Sequence, residues 1–259
     1  MTGTPSVGPL LGLVLAAFTV VAVVLVRLGG LGLARDMATA AVRAVVQLSV
    51  VSLLIAGVLR SGGLTACFVA AMLTVAAFTA ARRISGRSAR TLRSAARAAG
   101  LAGLAIGAGV LPALLLLLAT GLVPLRPVAV LPIAGILIGG AMTATALTGR
   151  RALDDLRQRR GEYEGGLALG LPARDAALEV CRPAAALALV PVMDQTRTVG
   201  LVTLPGAFVG VLLGGASPVQ AGAAQLLVLI ALLAVESASA LLMLELVAAG
   251  RFGDGRASG

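Results

Sequence analysis

The 259-residue chain contains no histidine and no lysine, so all 21 of its basic residues are arginines. Without histidine it can form neither a histidine-based catalytic triad nor a histidine metal cluster. Without lysine it lacks the Walker-type phosphate-binding loop, whose lysine contacts the nucleotide phosphates. The chain therefore cannot hydrolyse ATP by that mechanism, and we expect it not to be an enzyme.

Charged and aromatic residues are also scarce. Charged residues make up 12% of the chain and aromatic residues 2%, whereas hydrophobic residues make up 59%. A soluble domain carries roughly a quarter charged residues. The excess lies in continuous runs of Leu, Val and Ala, which are typical of membrane helices because lipid cannot satisfy an open backbone. We predict an all-α protein that crosses the cell (plasma) membrane several times.

Seven apolar runs approach the roughly 17–25 residues that a spanning helix needs. We predict spans at Val7–Val26, Ala44–Leu59, Leu64–Ala81, Ala98–Thr120, Val128–Thr148, Val199–Gly215 and Ala221–Val247. The sixth run is short, contains Pro205 and follows a separate apolar stretch, Ala184–Val192. A broken or re-entrant segment is the alternative there.

The arginine distribution predicts the orientation of the chain. Assigning the loops alternately to the two sides places 19 arginines on one side and only Arg60 and Arg126 on the other. By the positive-inside rule the rich side is cytoplasmic, so the N-terminus lies outside and the C-terminus in the cytoplasm. The net charge of +10 is then a topology signal. Nucleic acid is not an expected partner, because the arginines flank spans and no aromatic residues interleave them.

The connection between the fifth and sixth predicted spans, about Gly149–Thr198, is much longer than the others. It begins with a charged, helix-prone stretch, Arg150–Glu164, and continues to Gly170 and Pro172. Such a glycine ends a helix in the left-handed conformation, and such a proline opens the next helix. We therefore predict a helix, a tight corner and a second helix at the cytoplasmic face.

This corner resembles the cytoplasmic loop of ATP-binding-cassette (ABC) importer permeases. Glu164 and Gly170 hold the spacing of that motif, and Val180 and Pro183 fall where its Ile and Pro would stand. The positions that depart from the pattern are Gly165, Gly166 and Arg182. The resemblance implies that these four residues couple the chain to an ATPase. On spacing alone, an ordinary amphipathic surface helix fits equally well.

Further blocks resemble one family in the same order along the chain. They are Val42–Leu48, Leu131–Gly135, Gly139–Ala144, Leu167–Gly170, Val190–Asp194, Thr198–Gly206 and Gly215–Pro218, followed by Gln225. From about Arg43 to Gln225 the chain is similar to the FetB-like permeases of iron-export ABC transporters, whose plant members are linked to aluminium tolerance. The chain departs from the family at Gly140, where Asn is usual, and at Val209 and Val211, where polar residues are usual.

The resemblance implies one transmembrane permease domain over residues 1–259, working as a homodimer with a separate ABC ATPase subunit. It implies a metal cation as substrate and no resident cofactor. Two alternatives stay open: a secondary transporter driven by ions, and a membrane scaffold without transport activity. A secondary transporter more often shows repeated halves with broken helices, and no convincing repeat is present.

Candidate residues for the substrate pathway are Gln47, Met142, Asp194 and Glu236. Glu236 stands near the middle of the apolar run Leu226–Leu244, where a charge costs on the order of a few kcal/mol and acids are functional candidates. The structural alternatives are a protonated acid bonded to a neighbouring helix and a pair with Gln47. Asp194 and Arg197 are expected to pair on one helix face at the cytoplasmic end of the sixth span.

Overall fold

The computed structural model describes residues 8–85 and 92–252, and these residues are helical almost throughout. The helices are α1 (Pro9–Leu28), α2 (Ala34–Val58), α3 (Gly62–Ser85), α4 (Leu92–Ala119), α5 (Pro127–Gln158), α6 (Arg160–Ala168), α7 (Ala173–Thr198), α8 (Gly206–Leu213) and α9 (Pro218–Ala248). Of these, α1–α5, α7 and α9 are long and apolar enough to cross a membrane. The predicted all-α membrane fold with seven spans is confirmed, although Val7, where the first predicted span begins, lies outside the described residues.

The position of the sixth span was predicted wrongly. The sixth candidate span is the 26-residue α7, which contains Ala184–Val192, and Pro183 and Pro191 lie within this helix without ending it. The predicted run Val199–Gly215 consists of turns and the eight-residue α8, which is too short to cross. The predicted coupling segment 149–198 contains the end of α5, α6 and the whole of α7, and its cytoplasmic position stays a prediction.

Local sequence explains where the later helices begin. Pro127 and Pro218 stand at the first turns of α5 and α9, where the missing N–H of proline costs nothing. Ser217 and Gln220 form a capping box at the start of α9: the Ser217 side chain accepts from the Gln220 N–H at 3.3 Å, and the Gln220 side chain accepts from the Ser217 N–H at 3.0 Å.

The helices group into two compact units, Met1–Ser61 and Gly62–Gly259. In the first, α1 and α2 pack against each other, and Val26 is the one buried residue among the side chains described there. Apolar side chains such as Phe18 and Leu53 are exposed, as expected of helices that face lipid or another apolar surface.

The second unit contains α3–α9 with α5 at its centre, packed against α3, α4, α7 and α9. Small residues bring these helices close together. A Cβ atom added at Gly103 of α4 would lie 3.2 Å from Ala77 Cβ of α3, and one added at Gly149 of α5 would lie 2.8 Å from Ile84 Cδ1. In membranes, such residues permit the close packing on which helix association depends.

One end of the second unit carries most of its arginines, and we call it the Arg-rich end. It comprises the C-terminal ends of α3, α5 and α9, the N-terminal ends of α4 and α7, and α6. A bidentate ion pair between Arg174 of α7 and Glu245 of α9, at 2.8–3.0 Å, joins two of these ends. When the loops of the whole sequence are again assigned alternately to the two sides, with α7 as the sixth span, Arg197 moves to the arginine-poor side and the count becomes eighteen arginines against three. The bias persists, and the cytoplasmic placement of the Arg-rich end stays a prediction.

Candidate functional site

The helix α6 projects from the Arg-rich end and contains no buried residue. Arg159, directly before it, donates from Nη1 to the Val180 carbonyl oxygen of α7 at 3.0 Å and from Nε to Glu162 Oε1 at 2.8 Å. The hydrogen bond from Arg159 holds the pKa of the Glu162 carboxyl below its usual value. Arg159 thus fixes the start of α6 to the neighbouring helix.

A Schellman motif ends α6. Gly170 has φ +88°, its N–H donates to the Leu167 carbonyl at 3.0 Å, and the Leu171 N–H donates to the Gly166 carbonyl at 3.0 Å. Pro172 then caps α7, which begins at Ala173. The predicted helix, corner and helix, with a left-handed Gly170, are confirmed.

The structure explains why Gly166 departs from the importer pattern. A Cβ atom at this position would lie 3.1 Å from the Ala176 Cβ atom of α7. The bare glycine therefore lets α6 fold closely against the first turn of α7. Gly165, by contrast, faces open space, since an added Cβ atom there would meet nothing within 4 Å.

The four predicted coupling residues occupy different environments. Glu164 is exposed on α6, where its Oε1 accepts from Arg160 Nε at 2.7 Å, and Gly170 is exposed at the corner. Pro183 is exposed on α7, whereas the Val180 side chain is 2% exposed and packs in the core. Val180 contributes to this region through its carbonyl oxygen, which holds Arg159.

The four predicted pathway residues do not form one cluster. Gln47 is exposed on α2 of the first unit, and Met142 is half-buried against the core of the second. Asp194 is exposed and pairs with Arg197 at 3.5 Å, but near the C-terminal end of α7, opposite the Arg-rich end. The predicted pair is present, and its predicted cytoplasmic position changes with the position of the sixth span.

Glu236 is buried in α9 with 8% of its surface exposed. Its carboxyl group faces Gly140 of α5, where an added Cβ atom would lie 2.5 Å from Glu236 Oε1 and 2.7 Å from Leu232 Cδ2. Within the described residues no hydrogen bond or ion pair reaches this carboxyl group. The absent side chain at Gly140, a departure from the family pattern, thus leaves the space that the carboxyl group fills.

Sequence reasoning missed three buried hydroxyl groups in the same unit. Thr145 and Thr148 of α5 and Ser239 of α9 are fully buried, and their oxygen atoms have no hydrogen-bond partner among the described residues. The one sequence feature that could have pointed to them is that they are hydroxyl residues within apolar runs. Threonine in a helix commonly bonds its own backbone, so the sequence alone did not distinguish them. Among the described residues, no three His, Cys, Asp or Glu side chains gather as a metal cluster.

Comparison with known proteins identifies the family. The family model described as "Uncharacterised protein family (UPF0014)" matches residues 10–252. "UPF0014 membrane protein STAR2" of Oryza sativa subsp. japonica is 34% identical over 238 residues, which cover 91% of this chain and 81% of the rice protein. "Protein ALUMINUM SENSITIVE 3" of Arabidopsis thaliana is 36% identical over 219 residues, which cover 83% of this chain and 77% of the plant protein.

One bacterial relative is named as a transport protein. "Probable iron export permease protein FetB" of Escherichia coli (strain K12) is 35% identical over 141 residues, which cover 53% of this chain and 52% of that protein. No solved structure matches the chain. The family match over nearly the whole chain, together with its seven candidate spans, shows that this multi-pass membrane protein belongs to the FetB-like UPF0014 family.

Proposed function

We propose that the chain is the membrane-spanning permease subunit of an ABC transporter that exports a metal cation. It works as a homodimer, and separate ATPase subunits bind at the Arg-rich end and hydrolyse ATP. The name of the E. coli relative, an iron export permease, supports the metal substrate and the direction. The absence of lysine supports a division of labour, because this chain lacks the lysine of a Walker-type loop.

The geometry of α6 carries the proposal. An ordinary amphipathic surface helix buries an apolar face against its own protein. In α6, Tyr163 and Gly166 are only half-buried against the unit, and the other residues, Leu167 among them, are exposed. Arg159 nevertheless fixes one end of α6, and the Schellman motif at Gly170 fixes the other. A short helix that is held at both ends and leaves most of its residues exposed is suited to enter a groove of a partner.

A secondary transporter driven by ions is the second candidate. The buried Glu236 without a partner favours it, since an intramembrane carboxyl group can bind and release a cation or a proton. The two candidates differ in their energy source, because only the permease needs ATP hydrolysis and an intact α6.

Gly170→Val and Glu164→Ala test the coupling role of α6. A β-branched residue is strained by about 1–3 kcal/mol in the left-handed conformation, so Gly170→Val should displace the corner. We expect co-purification of the ATPase and the ATP hydrolysis of the complex to fall about tenfold or more in Gly170→Val, which corresponds to 1.4 kcal/mol. Glu164→Ala should reduce both by a smaller factor. The measurement is ATP hydrolysis by complexes purified through a tag on this chain.

Gly121→Val is the matched control. Gly121 also has a positive φ, +70°, but lies between α4 and α5 at the opposite end of the unit from α6. This variant should lower the thermal stability of the protein while the ATPase stays bound and active. Full association and hydrolysis in both α6 variants, or equal losses in Gly121→Val and Gly170→Val, would contradict the proposal.

A further inference from the structure

A cavity of about 360 Å³ lies among α3, α4 and α5, within the second unit. Its volume falls in the range of about 300–1,000 Å³ that is usual for small-ligand sites. The cavity is separate from α6, and none of the four predicted pathway residues lines it. It is therefore a further candidate binding site.

Aliphatic side chains form most of the wall of this cavity. Leu73 of α3, Val110 and Leu114 of α4, and Val130 and Ile138 of α5 are among them. A wall of this kind suits a hydrocarbon ligand, because removing apolar surface from water or filling an apolar gap is favourable, whereas a polar ligand would find few partners.

The cavity is about as deep as one leaflet of a bilayer. Its lining begins at Gly62 and Pro127, the first residues of α3 and α5, and extends to Leu73 and Ile138 further along these helices. At about 1.5 Å per residue, each of these stretches rises about 16 Å. Half of the hydrocarbon core of a bilayer is about 15 Å thick. An acyl chain that enters beside Gly62 and Pro127 would therefore reach the middle of the membrane within the cavity.

Positive charge gathers where the cavity begins, at the N-terminal ends of α3 and α5, and we call this end the mouth. Arg126 is the one charged side chain among the described residues that line the cavity, and it is exposed. Within the described part of the chain no carboxylate pairs with its guanidinium group. The first turns of α3 and α5 add the partial positive charge of helix N-termini. An apolar cavity with a cationic mouth matches a lipid that has a negatively charged headgroup.

The second unit itself offers little negative charge at this end. Among its described residues, Asp194 is the one acidic residue near the mouth's end of the unit, and it already pairs with Arg197 at 3.5 Å. The same unit of a second copy would therefore present no free carboxylate to Arg126. A lipid phosphate supplies the missing negative charge, and it can accept two hydrogen bonds from one guanidinium group.

We propose that this cavity binds one acyl chain of an anionic phospholipid, whose headgroup phosphate lies on Arg126. The small side chains of Ala66 and Ala70, one turn apart on α3, line the cavity and leave space for the chain. The bound lipid fills an apolar gap among three helices and so stabilises their packing. This role goes beyond the proposed transport function and does not depend on it.

Native mass spectrometry of the purified full-length chain, titrated in detergent with dioleoylphosphatidylglycerol or dioleoylphosphatidylcholine, tests the site. We expect wild type to bind one phosphatidylglycerol per chain, more tightly than phosphatidylcholine, which has the same acyl chains and no net charge. Arg126→Gln should weaken phosphatidylglycerol binding about tenfold, a factor that corresponds to 1.4 kcal/mol, and should remove most of this preference. Arg197→Gln is the control, because Arg197 is exposed at the same end and does not line the cavity.

Ala70→Phe tests the cavity itself and retains Arg126. The ring should occupy the space of the acyl chain, so the affinities for both lipids should fall in protein whose size-exclusion profile is unchanged. Ala71→Phe is the matched control, since the neighbouring Ala71 is exposed and does not line the cavity. This variant should bind both lipids like wild type.

Three outcomes would overturn the proposal. The first is equal affinity of wild type for the two lipids, and the second is wild-type affinity for phosphatidylglycerol in both Arg126→Gln and Ala70→Phe. The third is a change from dimer to monomer in Ala70→Phe with lipid binding unchanged, which would assign the cavity to a contact between two copies of the chain. The titration needs no ATPase and no metal, so its result is independent of the coupling test at Gly170.

Discussion

Gly109 shows how a single residue determines the packing of two membrane helices. An added Cβ atom at this position would lie 2.5 Å from the Val235 carbonyl oxygen of α9, and backbone cannot rotate away as a side chain can. Gly109→Ala should therefore push α4 from α9 and destabilise the protein by about 1–3 kcal/mol, the usual range for overpacking. A lower midpoint of thermal unfolding in detergent, measured with purified protein, is the expected result.

Gly100→Ala is the matched control for this change. It lies on the same helix, and an added Cβ atom there meets nothing within 4 Å. Since alanine is favoured over glycine in a helix by about 1 kcal/mol, this variant should unfold at the same or a slightly higher temperature. Equal midpoints for the two variants would show that the backbones of α4 and α9 are not in close contact at Gly109.

At the residue scale, the sequence predicts features that depend on adjacent residues, but not which side chains meet across helices. Gly170 could be predicted because the left-handed conformation at a helix end depends on few adjacent residues. Glu236 could be singled out because a charged residue in an apolar run is conspicuous. The hydroxyl groups of Thr145, Thr148 and Ser239 could not, because whether a hydroxyl bonds its own helix or faces another depends on the packing.

Arg159 anchors the element on which the proposed coupling depends. Its hydrogen bond to the Val180 carbonyl oxygen links the start of α6 to the N-terminal third of α7. Arg159→Ala should free that end of α6, and we expect faster hydrogen–deuterium exchange of the α6 amides while exchange in α5 and α7 stays unchanged. Arg157→Ala is the control, since Arg157 pairs at 3.5 Å with Asp154 within α5. Unchanged exchange in α6 after the Arg159 substitution would show that Arg159 does not hold it.

At the element scale, the sixth span shows where hydropathy misleads. Val199–Gly215 contains Thr203 and Pro205 but is long enough to approach the length of a span, whereas Ala184–Val192 is a separate and much shorter apolar stretch. Proline is tolerated inside membrane helices because neighbouring helices and local adjustments satisfy the freed backbone groups. A helix of 26 residues therefore passes through Pro183 and Pro191, and the more apolar run turns back through Gly200 at φ +81°. Composition alone does not reveal which apolar stretch is continuous with a helix.

The predicted topology of the whole molecule rests on the arginine bias and on α7 as the sixth span. Single cysteines at Gly121 and Gln195 should react with a membrane-impermeant reagent added outside intact cells, whereas cysteines at Gln158 and Gly161 should react only after permeabilisation. The background is Cys67→Ser and Cys181→Ala, which removes both native thiols. Gln195 is the decisive position, because it lies outside only if α7 crosses the membrane. Protection of Gln195 with labelling of Gly121 would show that α7 does not cross.

ATP-dependent cation transport tests the central claim most directly. Inside-out membrane vesicles that contain this chain and its ATPase should accumulate Fe²⁺ when ATP is added, because export from the cell becomes uptake in such vesicles. Uptake should cease in Gly170→Val and persist in Gly121→Val. Accumulation that follows an imposed proton or sodium gradient without ATP, and that is unaffected by Gly170→Val, would contradict the account and identify the chain as a secondary transporter.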